Sequence, residues 1–194
     1  YHHQANMNIQ VATQEMQVTD CYSDIMNVNY GYVSHSFNQF IQVEDHKIVA
    51  LDHGDALPRS FNLCLDKTDV ARGTFTPVYG KYCDNIDVMT FESTRGVNAT
   101  GAGAGAFLIS DTHYLLAGSK EKSGLGNVNR NIFVAAIDKT TREVKTRYLT
   151  DYPYDTAVSV PHMVLLESGH YLVLWQCNKK VCYQEVNAAG KKMG

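Results

Sequence analysis

One nine-residue pattern recurs three times in this chain, and it limits the possible folds more than any other feature. It reads Val43-Glu44-Asp45-His46-Lys47-Ile48-Val49-Ala50-Leu51, then Ile109-Ser110-Asp111-Thr112-His113-Tyr114-Leu115-Leu116-Ala117, then Leu166-Glu167-Ser168-Gly169-His170-Tyr171-Leu172-Val173-Leu174. Each copy has an aliphatic residue, a short polar corner, a Lys or His, and an unbroken apolar run. The corner predicts a tight turn between two antiparallel strands, and the run predicts a second strand buried on both faces. The copies begin 66 and 57 residues apart (43 to 109, 109 to 166). Recurrence at such a spacing predicts a repeated supersecondary unit.

The composition agrees with strands. Twelve Tyr and fourteen Gly, with many Thr, Val and Asn, favour strands and turns over helices. The length of 194 residues allows one substantial domain or several repeats sharing a core. The net charge of −3 gives no electrostatic footprint for nucleic acid, and no apolar run approaches the ~20 residues of a membrane-spanning helix. The opening Tyr1-His2-His3 lacks an initiator Met, so a processed or partial chain is expected. Lys191-Lys192 is expected to be a solvated basic tail rather than a processing site.

Cys177 and Cys182 flank a hairpin-sized gap, so a cross-strand disulfide is expected there. Cys64 and Cys83 are candidates to pair between neighbouring strands, which leaves Cys21 free or bonded to another chain. Asn98-Ala99-Thr100 is an N-glycosylation acceptor. Together these features predict an extracellular or cell-surface setting. Buried reduced thiols in a cytosolic protein are the competing reading.

Taken in order, residues 1–30 hold short alternating runs that read as outer strands of a preceding partial unit. In residues 31–97 the expected strands are Phe40–Val43, Lys47–Leu51 and Ser60–Leu65, with Thr74–Val78 or Ile86–Phe91 as the outermost. Pro77 weighs against a central place for Thr74–Val78. In residues 98–155 the expected strands are Phe107–Ile109, His113–Ala117, Asn131–Ile137 and Glu143–Leu149, with a turn at Asp138–Thr141 and a loop from Ser119 to Arg130. The run Gly101-Ala102-Gly103-Ala104-Gly105-Ala106 is too short for silk-like packing. It predicts backbone packed where side chains have no room. In residues 156–194 the expected strands are Val158–Leu166, His170–Trp175 and Val181–Val186, with a turn at Asn187–Gly190 and any fourth strand at or past residue 194.

Four antiparallel strands, repeated about three times over residues 31–190, resemble the blades of a β-propeller. The Gly-His and Trp-Asp marks of WD40 repeats, the Asp box of sialidases and the paired Gly of Kelch blades are absent; Trp175 is followed by Gln176. The resemblance is to the loosely marked blades of extracellular and surface proteins. It implies an all-β fold with three to three and a half blades in this chain. The remaining blades would come from the same precursor or from another chain. A β-sandwich is the alternative architecture.

The resemblance also places the loop entering a blade's first strand beside the loop joining its second and third strands. In residues 31–97 these loops carry His35, Ser36, Asn38, Asp52, His53, Asp55 and Arg59, the densest polar cluster in the chain. Three readings are open. Carboxylates, amides and Arg suit a glycan or peptide ligand, with Tyr30, Tyr32 or Phe37 to stack on a sugar face. His35, Asp52, His53 and Asp55 are acceptable metal-ligand types, in a spacing specific to no metal. Asp52, Asp55 and Gly54 also suit plain turn capping. His162 enters the third unit on the same expected face, lining a channel or, by preference, filling a core gap. His113 and His170 share the repeat position of Lys47, which marks a strand start near water. Trp175 is expected in the core.

No nucleophile elbow, phosphate loop or dinucleotide fingerprint is present, so no cofactor is expected and catalysis is not the leading expectation. The leading expectation is a surface β-propeller segment acting as a binding or scaffolding module for a glycan, peptide or partner subunit. The alternatives are a propeller-scaffold hydrolase or lyase acting on polysaccharide, and a structural subunit of a filament or coat.

Overall fold

The computed structural model describes residues 39–45, 47–53, 59–66, 83–92, 102–121, 130–153 and 156–194. These residues form antiparallel β-sheets, with no helix among them. The chain divides into two compact units, residues 1–56 with 61–87, and residues 57–60 with 88–194.

The first sheet has strands β1 (Gln39–Glu44), β2 (Lys47–His53), β3 (Arg59–Asp66) and β4 (Cys83–Glu92), in that spatial order. The first nonapeptide is its opening hairpin: Glu44 pairs with Lys47 across the corner. Asp45 takes a φ of 45°, the left-handed conformation that a two-residue turn requires and that Asp tolerates. Val49 and Leu51 lie opposite Leu65 and Leu63, and all four are buried. The end of β2 differs from expectation. Asp52 and His53 belong to β2 rather than to a loop, because the ladder continues through Asp52↔Asn62 and His53↔Phe61. Backbone pairing is indifferent to the polarity that suggested a loop. The outermost strand is the one built on Ile86–Phe91; Thr74–Val78 lies outside the described residues.

The second unit contains a four-stranded sheet, β5 (Ala102–Ile109), β6 (His113–Glu121), β7 (Arg130–Asp138) and β8 (Val144–Tyr148). It also contains a three-stranded sheet in the order β11-β10-β9, from β9 (His162–Leu165), β10 (Tyr171–Cys177) and β11 (Lys180–Val186). Part of the expected Ser119–Arg130 loop is strand. β6 runs to Glu121 and β7 starts at Arg130, with Ser119 fully buried between Gly103 and Ile132. β9 is shorter than Val158–Leu166: Val158 makes an isolated bridge to Cys177, and the regular ladder starts at His162.

The second and third nonapeptides are also hairpin corners. In the second, Ser110 Oγ accepts from the His113 amide (2.8 Å), and Ile109 pairs with Tyr114 as Val43 pairs with Ile48. In the third, Leu165 rather than Leu166 pairs with Tyr171, a slip of one residue. The corner there includes Gly169 at φ 81°, which absorbs the extra residue at no steric cost.

The two sheets of this unit share one core. Leu115 and Ala117 of β6, with Ile132, Val134 and Ala136 of β7, meet Met163 of β9, Tyr171, Val173 and Trp175 of β10, and Val186 of β11. Alternation sets these faces: Tyr171, Val173 and Trp175 point one way from β10, Leu172 and Leu174 the other. Trp175 is in the core as expected, and its indole N–H donates to the Tyr152 hydroxyl (3.0 Å). The strands that meet directly are β5 and β9, the first strand of each sheet. A Cβ on Gly105 would stand 1.8 Å from the Pro161 carbonyl oxygen, and one on Gly103 would touch Val160 at 3.4 Å. The Gly-Ala run is therefore a strand stripped of side chains where the entry to β9 presses against it.

Turns and a disulfide fix the margins of the second unit. Asp138 Oδ1 accepts from the amides of Thr140 (2.8 Å) and Thr141 (2.7 Å), which closes the β7–β8 turn. These bonds hold its carboxyl below the usual aspartate range. Cys177 and Cys182 are disulfide-bonded with Cα atoms 6.2 Å apart, diagonal neighbours across the β10–β11 hairpin. Cys64 is also disulfide-bonded, while the Cys83 side chain, Cys21 and Asn98 lie outside the described residues.

Candidate functional site

In the first sheet Gln39 pairs with Asp52 and His53 with Phe61, so the start of β1, the end of β2 and the start of β3 share one end. Asp52 and His53 sit at the end of β2, and Arg59 opens β3. The side chains of these three residues, and all of His35, Ser36, Asn38 and Asp55, lie outside the described residues.

The corresponding strand ends of the second unit are described. Ala102 pairs with Lys120 and Glu121 with Arg130 at one end of the four-stranded sheet. Burial there pushes the Arg130 guanidinium below its ordinary range. Two buried polar atoms at this end lack partners, Ser119 Oγ and Asn131 Nδ2. Asn131 Oδ1 is well used, accepting from the Thr150 hydroxyl (2.9 Å) and the Tyr152 amide (2.7 Å).

In the three-stranded sheet, residues 157–159 lie along the β10–β11 turn. The Ser159 amide donates to the Gln176 carbonyl (3.0 Å), and the Asn178 amide donates to the Ala157 carbonyl (3.0 Å). A cleft of about 460 Å³ opens between them, lined by Ala157, Val158, Ser159, Gln176, Asn178 and Lys179. Its polar groups are mostly engaged. Ser159 Oγ accepts from the Gln176 amide (2.9 Å), and Asn178 Oδ1 accepts from the Ala157 amide (3.0 Å). No carboxylate or imidazole lines the cleft, so it holds no acid–base pair.

His162 corrects an expectation. It fills no core gap; it is exposed, paired with Leu174 on the side of β9–β11 that faces away from the shared core. Val164 and Leu172 share that side, as do Val181 and Tyr183, which are 74 % and 71 % exposed. An apolar sheet face is thus left open. Its repeat counterpart on β6, Leu115 and Ala117, is completely buried under the next sheet. Sequence reasoning passed over Val181 and Tyr183. The usable signal was that β11 carries apolar residues at both parities, Val181 and Tyr183 against Cys182 and Val186, the pattern of a strand built for two buried faces.

The two strand-start histidines each face a carboxylate. His113 Nε2 lies 3.9 Å from Asp138 Oδ2, and His170 Nδ1 lies 2.5 Å from Glu185 Oε1. Both pairs tie a strand start to its neighbour, and neither lines the cleft. Among the described residues no group of three His, Cys, Asp or Glu is placed to hold a metal ion, and no helix is long and apolar enough to cross a membrane.

The chain matches no family model, no curated protein and no solved structure.

Proposed function

We propose that this chain is a segment of a β-propeller on the extracellular or cell-surface side, serving as a scaffolding and binding module. The observation that carries this reading is the unequal treatment of two equivalent faces. Leu115 and Ala117 are sealed by the following sheet, while Leu172 and its neighbours await one. Large apolar faces left open on a soluble sheet mark interaction surfaces. The meeting of sheets through their first strands, β5 with β9, supports a radial arrangement around a shared axis. The Cys177–Cys182 disulfide supports an oxidising compartment.

In this reading the loops at the β1 entry and the β2–β3 connection form the ligand rim for a glycan or peptide, with His35, Ser36, Asn38, Asp52, His53, Asp55 and Arg59 as its polar groups. His162 stands at the corresponding entry to β9. Retention of the chain on glycan and peptide arrays tests the rim. Asp52→Ala, Asp55→Ala and Arg59→Ala together should abolish retention with an unchanged circular dichroism spectrum; undiminished retention would remove the rim assignment.

A further inference from the structure

The large apolar side chains most open to solvent, among the described residues, are Ile41 and Val43 of β1 and Val164, Leu165, Val181 and Tyr183 of β9 and β11. Apart from the edge residue Leu165, they fall on two faces of opposite type. Val164, Val181 and Tyr183 share the Leu172–Leu174 side of their sheet. Through the nonapeptide correspondence this is the Leu115–Ala117 type of face. In the observed interface that type receives the following sheet.

Ile41 and Val43 lie opposite Ala50 and Ile48. Ile48 and Ala50 hold the nonapeptide positions of Tyr171 and Val173. That is the other type of face, the one that β10 inserts against the preceding sheet. On it Ala50 and Cys64 are already buried, so the open part is β1 itself, with Val43 70 % exposed. β1 is the first strand of its sheet, and first strands are where β5 and β9 meet.

We propose that two copies of this chain associate head to tail, the open face of β9–β11 in one receiving β1 of the other. The contact repeats, through β1 alone, the first-strand part of the sheet-on-sheet interface already present within the chain. Because its two halves differ, it is heterologous and each dimer keeps one free face of each type. Further copies then add until a ring closes. The inference rests on reading the sheets as repeats of one plan.

The test is sedimentation velocity across micromolar to sub-millimolar concentrations. It compares the wild-type chain with Val181→Lys/Tyr183→Lys and with Ile41→Lys/Val43→Lys. The substituted side chains are solvent-exposed, and thermal melts confirm that each variant keeps the wild-type fold. The wild type should form dimers and larger species, and each variant alone should stay monomeric. An equimolar mixture should stop at the dimer, since it retains one intact pair of faces. Three outcomes overturn the proposal: a wild type that stays monomeric, a β1 variant that dimerises like the wild type, or a mixture that stays monomeric. The packing of β5 on β9 within one chain is read independently by cross-linking in monomer, so failure of the copy–copy contact is told apart from failure of the sheet plan.

Discussion

Gly105 lies directly under the Pro161 carbonyl, so close that a methyl group on its Cα would stand 1.8 Å from the oxygen. Pro161 leads into β9, and Gly105 is in the middle of β5. Substitution by Ala must push the first strands of two sheets apart. Gly105→Ala should destabilise the second unit by at least the ~1–3 kcal/mol typical of overpacking. Chemical denaturation of the wild type and variant measures it. Gly103→Ala, with Val160 at ordinary contact distance, should cost much less.

Equivalent repeat positions should respond unequally. Leu115 is completely buried against the three-stranded sheet, while its counterpart Leu172 is only partly buried on the open face. Leu115→Ala should cost about 2–5 kcal/mol, as cavities in sealed cores do. Leu172→Ala should cost less, about 1–2 kcal/mol in monomeric chain, because no sheet packs over that face. Equal losses at the two positions would show that the face is covered.

The β10–β11 turn places Asn178 at φ 45° and Lys179 at φ 65°. The left-handed region suits the twist of a two-residue hairpin, and Lys occupies it at a steric cost of roughly 1–2 kcal/mol. Lys179→Gly should raise stability by about 1 kcal/mol, net of the extra chain entropy that Gly brings to the unfolded state. Replacing both Cys177 and Cys182 by Ala should lower it by about 2 kcal/mol, the loop-entropy value for so short a ring. Thermal melts of the two variants beside the wild type, all without reductant, measure the two effects separately.

The Asp138 carboxyl is held low chiefly by the Thr141 amide, then by the Thr140 amide. A depressed folded-state value contributes stability above the unfolded-state value, and that contribution disappears as pH falls through the folded-state value. Asp138→Asn should therefore be less stable than the wild type near neutrality. The two should converge as pH drops below the usual aspartate range of about 4. Urea denaturation along a pH series checks the convergence.

The nonapeptides made the hairpins legible, because a polar corner before an apolar run fixes both turn and strand locally. The cross-strand disulfide at Cys177 and Cys182 and the core position of Trp175 were legible for the same local reason. Strand ends were not. Asp52, His53 and Ser119 continue their ladders because a neighbour supplies the pairing, whatever their polarity. His162 was misplaced for a related reason: its surroundings depend on which face of β9 another sheet covers, and no residue near it in sequence reports that. The Gly-Ala run sits between these cases. Its need for close packing was readable, whereas the partner, Val160-Pro161, emerges only in three dimensions.

Everything proposed for this chain depends on β5 and β9 lying side by side within one molecule. Gly103→Cys/Val160→Cys reads that contact, since a side chain at Gly103 would meet Val160 at 3.4 Å. Monomeric protein would be oxidised and its disulfides located by peptide mapping in a mass spectrometer. The sheet packing predicts a 103–160 disulfide alongside Cys177–Cys182. Free thiols at 103 and 160, with Cys177–Cys182 intact, would contradict it.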